Sequence, residues 1–361
     1  MKVQRIRLPG DSLTWIVLDQ DHLPIRPIQS YLHYLQNLEY SPNTIHNYAT
    51  HLKLFWEFLQ QVQLDWQRLT LEHLADFIRW LRWPHIKVIP LQQQSARRSE
   101  RTINTILSAV CGFYEYQERV ARIDNLKLHR LQFQPDQQYK PFLHHLKQDK
   151  LVKRRLLKLK DPNYLPRILT PDQIKQLVAS CQCGRDQFLI ALLYETGMRI
   201  GQALGLRHTD IRSWDNEIVI VPRRDNTNGV RAKTLQSYTI HVSKQLMQLY
   251  AQYLSTEYPE VDSDYVFINI WKGRIGQPMT YSTAVDLMRR LRKKTGIHVY
   301  AHLFRHTHAT ELIRNGWDLS LVQKRLGHTS IQTTANTYIH LDDADLKKAY
   351  QQYLEQQEQA K

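Results

Sequence analysis

Between Ala301 and His340 the chain gathers His302, Arg305, His306 and His308, then His328 after an Arg-Leu-Gly run, then Tyr338 ten residues later. Cations, imidazoles and one phenol grouped in this way suit a phosphate diester. Two guanidiniums, Arg199 and Arg305, can clamp its two non-bridging oxygens through paired hydrogen bonds. Imidazoles at His302 and His328 can donate to the same oxygens or move protons near neutral pH. Tyr338 would then be a nucleophile that attacks in line and forms a covalent phosphotyrosine, which stores the energy of the broken bond. A lysine on a hairpin can protonate the leaving 5′ oxygen. The acidic cluster that would hold Mg²⁺ is missing from this stretch. The triplet His302, His306 and His308 contains an i, i+4 pair but has no nearby carboxylate in a metal-binding motif, so no metal is expected. Taken singly, His306 and His308 read as helix-face packing, and Tyr338 as an ordinary helix tyrosine.

Elements must position these groups, and the composition allows for them. The chain has 361 residues and a 42% hydrophobic content, enough for two folded domains each with its own core. Its formal net charge of +15 favours a polyanionic partner. Cys111 stands alone, and Cys181 with Cys183 forms a C-x-C with no second pair to close a zinc site. All three read as reduced thiols. The first 25 residues lack the apolar core of a signal peptide, and no run approaches a membrane span. The expectation is a soluble cytoplasmic protein, associated with the nucleoid.

Residues 1–25 read as a hairpin, with Val3, Ile6 and Leu8 before the turn Pro9-Gly10-Asp11-Ser12 and Thr14–Leu18 after it. It is expected to pack as an extension rather than to contact DNA. Residues 26–121 read as a four-helix bundle. Ile28, Tyr31, Leu32 and Leu35 keep a 3.6 period, and Ser41-Pro42 starts a second helix as N-cap and first residue. A third helix carries Leu74, Phe77 and Leu81, and a fourth begins near Ser99. Arg97, Arg98 and Arg101, between the last two, either meet phosphates or form a solvated basic loop. Residues 122–167 read as an extended connector with some helix. From Lys140 to Arg167 it holds nine Lys or Arg, among them Lys140, Lys153, Arg154 and Arg155, against Asp149 and Asp161. Such a run can neutralise a nucleic-acid backbone.

Residues 168–341 read as the domain that carries the chemistry. It opens with the capping box Thr170-Pro171-Asp172-Gln173. A helix through Leu193 is broken by Gly197, and a further helix runs from Met198-Arg199 to Leu206. Strands are expected at Glu217–Val221 and Tyr238–Val242, joined by an arm containing Lys233, with a short strand at Val266–Ile268. Helices follow at Leu246–Leu254, Thr283–Leu291 and Thr307–Asn315, and Asp318 caps the stretch leading to Gly327-His328. Residues 342–361 form a polar tail that reads as a helix in need of a partner. The fold class is mainly α with a small β-sheet, a helical N-terminal domain followed by an α+β domain.

In order along the chain, TGMRIGQALGLRHTDI, AKT on a hairpin, HLFRHTHAT, LGHTS and TYIH together resemble the tyrosine recombinase (phage integrase) family. SPNTIHNYATHLKLFWEFL is similar to the start of its SAM-like core-binding bundle, and LTPDQIKQLV to the start of its catalytic domain. DNTNGVRAKT and the basic connector are most similar to transposases of site-specific transposons. The resemblance implies that Arg199, Arg305, His302 and His328 bind the scissile phosphate, that Lys233 is the general acid, and that Tyr338 is the nucleophile. Arg231 and Lys244 lie near Lys233 in sequence and compete for its role. One departure stands out, because the family usually has Glu or Asp where this chain has Gln202.

The resemblance further implies a site-specific recombinase, integrase or transposase acting on double-stranded DNA sites as a homo-tetramer, with no metal or nucleotide cofactor. Companion transposon proteins are possible partners, and no membrane is involved. Two alternatives stand beside it. One is a type IB topoisomerase-like enzyme, which would need no paired site. The other is a non-catalytic DNA-binding regulator of the same fold.

Overall fold

The computed structural model describes residues 1–7, 13–83, 96–120, 123, 129–133, 151–160, 167–223, 225–231, 236–271, 273–327 and 351. The chain divides into two compact units, Met1–Asn163 and Tyr164–Lys361.

In the first unit, β1 (Lys2–Arg7) and β2 (Leu13–Leu18) pair antiparallel, with Val3 opposite Val17. Val17 is buried in the same core as the helices, so the hairpin packs as an extension of that core. Four helices follow: α1 (Arg26–Asn37), α2 (Pro42–Gln61), α3 (Leu71–Arg82) and α4 (Glu100–Val120). Ser41 caps α2 by accepting the Thr44 N–H, with Pro42 at the first helical turn where its missing N–H costs nothing. Thr70 and His73 cap α3 reciprocally, the imidazole Nδ1 taking the place of the usual Glu or Gln acceptor. The buried stripes meet in an aromatic core where Phe55 stands edge-on to Phe77 and Tyr114. The Tyr114 hydroxyl, buried with its ring, donates to the Trp66 carbonyl.

The connector differs from expectation. Its described residues contain no helix; instead β3 (His129–Phe133) pairs antiparallel with β4 (Leu151–Arg155). Leu151–Arg155 reads LVKRR, with no alternation of apolar and polar residues, so a period-based reading takes it as solvated coil. Beyond β4 the chain returns to the helical core. Asn104 donates to the Leu159 carbonyl and accepts its N–H, both at 2.9 Å, while Leu157 and Leu159 pack on the bundle.

The second unit opens with α5 (Pro171–Ala179), capped by Thr170 and Gln173 reciprocally. Helix α6 (Gly184–Thr196) is buried on nearly every side, which places it at the centre of the unit. It stops at Gly197, whose φ is +62°. The helix expected from Met198 to Leu206 is only the single turn α7 (Ile200–Ala203). Its C-cap is Leu204, and a Cβ at the following Gly205 would lie 3.2 Å from the Asn226 side-chain amide. A three-stranded antiparallel sheet follows, in the order β5 (Ile211–Arg212), β6 (Glu217–Ile220), β7 (Tyr238–His241). Val266–Ile268, expected as a strand, is fully buried and carries isolated bridges, Tyr265 to Arg207 and Ile268 to Pro278, with the Val266 N–H donating to Leu206 and the Phe267 carbonyl accepting from Met279, but no continuous strand is formed. Its apolar run reports depth together with pairing too short and interrupted to make a ladder. Helices α8 (Lys244–Thr256), α9 (Tyr281–Thr295), α10 (Ala301–Arg314) and α11 (Leu319–Leu326) complete the described part. Helix α10 starts six residues before the expected Thr307, so His302 lies in its first turn. The helix expected to carry Tyr338 lies outside the described residues, and so does the tail apart from Gln351.

The three cysteines are free thiols and all are buried. Among the described residues no helix is long and apolar enough to cross a membrane.

The arm after β6 is held at its base by Asp210, a buried carboxylate. It accepts two hydrogen bonds from Arg223, at 2.6 and 2.7 Å, and the Arg207 N–H at 2.9 Å. Asp210→Asn strands the Arg223 charge in a poorly solvated place and should lower unfolding free energy by about 3 kcal/mol. The urea midpoint of the variant measures this, and Asp262→Asn, at an exposed carboxylate, should leave the midpoint unchanged.

Candidate active site

The centre of the site is Arg305 on α10. Only 1% of its surface is exposed, yet its side chain is a permanent cation. The guanidinium donates from Nη1 to the Gly197 carbonyl at 2.9 Å and from Nη2 to the Leu326 carbonyl at 2.8 Å. One side chain thereby ties together the turn that leads into Arg199 and the turn that leads into His328.

Arg199 is the N-cap residue of α7. Gln202, 3% exposed, reaches back from the third helical position and accepts the Arg199 N–H at 2.7 Å. Its amide nitrogen donates to the Tyr238 hydroxyl at 3.0 Å. The Arg199 Nη1 is buried and has no hydrogen-bond partner among the described residues. A buried guanidinium nitrogen without an acceptor is costly, and an anionic ligand would satisfy it.

Tyr238, on β7, supports the other side. Gly327 has a φ of +62°, and a Cβ there would lie 2.7 Å from the Tyr238 ring and hydroxyl. No other residue fits both the left-handed backbone and that contact. Across the arm, Gly201 plays a similar part by close approach, since its absent Cβ would stand 2.7 Å from the Arg231 carbonyl oxygen. The arm is thus seated on α7 at Arg231 and again, through Gln202, at Tyr238.

The histidines divide. His302 keeps part of its surface exposed, but desolvation by the surrounding protein, then His306, Arg305 and Arg199, push its pKa down to about 4. Its ring stands edge-on to His306, with centroids 4.6 Å apart. His302 is therefore neutral at pH 7 until an anion arrives to favour the imidazolium. His308 is buried and accepts from Arg325 Nε at 3.0 Å. Burial first, then Arg325 and Arg305, push it down to about 3. Arg325 also donates to the carbonyls of His241 and Glu195, both at 3.1 Å, so this second arginine fastens α11 to β7 and α6. His308 is a packing residue, as its sequence context suggests. Among the described residues no cluster of three His, Cys, Asp or Glu is placed to hold a metal.

Of the candidates, Arg199, His302 and Arg305 fall in the same region of the second unit. Lys233, His328, Tyr338 and Lys140 lie outside the described residues. In the first unit Arg97 and Arg101 are exposed, whereas Arg98 turns inward and donates to the Leu81 carbonyl at 3.0 Å. Lys153, Arg154 and Arg155 belong to β4, opposite Leu131, Arg130 and His129. Sequence reasoning missed Tyr238 and Arg325. A tyrosine in an alternating strand and an arginine in a helix's last turn both have ordinary explanations.

A two-unit chain with this cation-lined site is a tyrosine recombinase in its fold class. Residues 167–345 match the phage integrase family and residues 28–120 match the phage integrase N-terminal SAM-like domain, and the chain belongs to that family of DNA recombinases. It is 43% identical over 364 aligned residues, the full length of both chains, to transposase A from transposon Tn554 of Staphylococcus aureus. Among solved structures it resembles the Tn1549 transposon integrase in complex with transposon right-end DNA. That match has 18% identity and a TM-score of 0.59, covering 91% of this chain and 98% of the other. The XerH site-specific recombinase bound to palindromic difH substrate matches with 20% identity and a TM-score of 0.58, over 86% of this chain and 79% of that one.

Neutral burial of His308 has a pH consequence. From its ordinary 6.5 to about 3, the unfolded chain takes up a proton that the folded chain refuses. The stability it contributes is complete above pH 6.5 and is lost as pH falls through that window, and His302 adds the same sign down to about 4. The urea midpoint should fall on acidification below 6.5, less steeply in His308→Gln, where the amide oxygen can still accept from Arg325.

Proposed function

We propose that this chain is a site-specific DNA recombinase that moves a mobile element by breaking and rejoining strands through Tyr338. The Tyr338 hydroxyl attacks the scissile phosphorus as the neutral imidazole of His302 takes its proton, the bond to the 5′ oxygen breaks, and Lys233 gives that oxygen a proton. A 3′-phosphotyrosine and a free 5′ hydroxyl result. A 5′ hydroxyl from a partner strand reverses the step and releases the tyrosine. Arg199, Arg305, His302 and His328 hold the non-bridging oxygens, where negative charge builds in the transition state. Guanidiniums supply that stabilisation, so neither metal nor ATP enters the scheme. The observation that carries the reading is the buried, unpartnered Arg199 Nη1 beside the Arg305 hub. The full-length similarity to a transposase supports the mobile-element assignment.

Double-stranded DNA is the partner, met along its backbone by Arg97 and Arg101, which stand exposed, and by Lys140, Lys153, Arg154 and Arg155 of the basic connector. Arg98 contributes less, since one of its nitrogens already serves Leu81. Four protomers assemble on two sites, with the tail 342–361 docking on a neighbour. Truncation at Asp342 should therefore abolish the tetramer on DNA while leaving binding of a single site intact.

The chemical step is tested by trapping. A duplex selected for binding from random sequence, with nicks placed one nucleotide apart along it, should yield a covalent protein–DNA adduct in EDTA without ATP. Tyr338→Phe should give none, and Arg199→Ala should slow the reaction by about 10²–10³-fold. No adduct on a duplex that the chain binds would overturn the recombinase reading in favour of a DNA-binding regulator. Relaxation of plasmid without recombination of two sites would favour a topoisomerase.

A further inference from the structure

Gln202 is where this chain departs from the acidic residue usual in its family, and the hydrogen bonds around it show what the exchange does. Its Oε1 accepts the Arg199 N–H at 2.7 Å. A backbone N–H can only donate, so this contact fixes which end of the amide is oxygen. The other end, Nε2, faces the Tyr238 hydroxyl at 3.0 Å, and an amide N–H can only donate as well. The phenol oxygen is therefore the acceptor in this bond. Its own hydrogen must go elsewhere, and among the described residues it meets no acceptor. A carboxylate at position 202 would accept at both ends and would tie up the phenolic hydrogen. Glutamine reverses the polarity of one hydrogen bond and leaves a donor over.

That donor has a defined place. The Tyr238 ring is wedged under Gly327, the residue before His328, so its hydroxyl cannot swing away. Burial, the largest effect, raises its pKa and keeps the phenol protonated, against the opposing Gln202 hydrogen bond and the nearby Arg305 and Arg199 charges. Close by, Arg199 Nη1 is a second buried donor without an acceptor among the described residues. The charged groups facing this place are Arg199 and Arg305, with neutral His302 alongside. Two unspent donors, the Tyr238 hydroxyl and one nitrogen of Arg199, beside the Arg305 guanidinium describe a seat for an anionic oxygen.

We propose that Tyr238 is a catalytic residue whose hydroxyl donates a hydrogen bond to a non-bridging oxygen of the scissile phosphate, oriented by Gln202. The proposal rests on the reading of this site as a phosphodiester-transfer centre. No proton is transferred. The phenol stays neutral and contributes a charge-assisted O–H···O⁻ bond that strengthens as charge builds on the phosphate. Gln202 acts through Tyr238 and is a positioning residue.

The test uses the full-length chain and the selected, nicked duplex, and measures the rate of adduct formation on a denaturing gel. Tyr238→Phe keeps the ring beneath Gly327 and removes only the hydroxyl. Duplex binding should be unchanged, and the adduct should form about 100-fold more slowly, as for loss of one oxyanion donor. Gln202→Glu should slow the reaction in the same direction, with no further loss when added to Tyr238→Phe. A methylphosphonate at the cleaved position replaces one non-bridging oxygen with a methyl group. On one of its two diastereomers the difference between wild type and Tyr238→Phe should disappear.

An unchanged rate in Tyr238→Phe overturns the proposal, and so does an equal penalty on both diastereomers, which would mark a merely structural role. Equal losses from Gln202→Glu in both backgrounds would overturn the orientation by Gln202. If wild type itself gives no adduct, the recombinase reading and this assignment fall together. If wild type reacts and Tyr238→Phe matches it, only the assignment falls.

Discussion

A guanidinium sealed inside a protein must be compensated by groups that have no other demand on them. Arg305 meets that condition with two backbone carbonyls, those of Gly197 and Leu326, which end α6 and α11. Carbonyls at helix C-termini lack intrahelical partners and carry the negative end of the helix dipole. The charge of Arg305 therefore suits both helix ends, and both ends are drawn to one point. Much of the local geometry follows from this. Arg199 is two residues beyond one anchored carbonyl, and His328 two residues beyond the other.

The remaining groups make the site strongly electropositive without filling it. Arg199 has a buried nitrogen unspent among the described residues, and His302 is kept neutral by desolvation first and then by His306, Arg305 and Arg199. In isolation the arrangement is unfavourable, since like charges face each other at reduced dielectric. It is tolerated because Arg305, Arg325 and the capping amide of Gln202 fasten the surrounding turns to backbone groups. Stability of the scaffold thus supports a site whose one unspent buried guanidinium nitrogen, on Arg199, an anion would satisfy.

Much of the fold could be read from residue order. Helical periodicity located the four bundle helices, and the caps at Ser41, Thr170 and Asp318 were legible because they act within three residues. The spacing of His302 and Arg305 puts them on one face only if that stretch is helical, and the expected start at Thr307 left both outside the helix that in fact begins at Ala301; the set of candidates came from the family's motifs. What stayed hidden depends on partners far apart in sequence. Gln202 meets Tyr238 across 36 residues, and Arg325 meets Glu195 across 130. Neither pairing leaves a local signature. The β3–β4 hairpin was obscured by charge, and Val266–Ile268 by burial that imitates a strand.

The wedge of Tyr238 under Gly327 also bears on how such a site can change over generations. Position 327 accepts no side chain while an aromatic ring lies beneath it, and the ring's hydroxyl has its present role only while residue 202 is an amide. The three positions are separated in sequence but adjoin in space, so an exchange at one alters the fitness of the others. Lineages that keep a carboxylate at the first position should therefore be free to lose the phenol at the second. Those with the amide should hold the phenol and the glycine together, as a single epistatic unit.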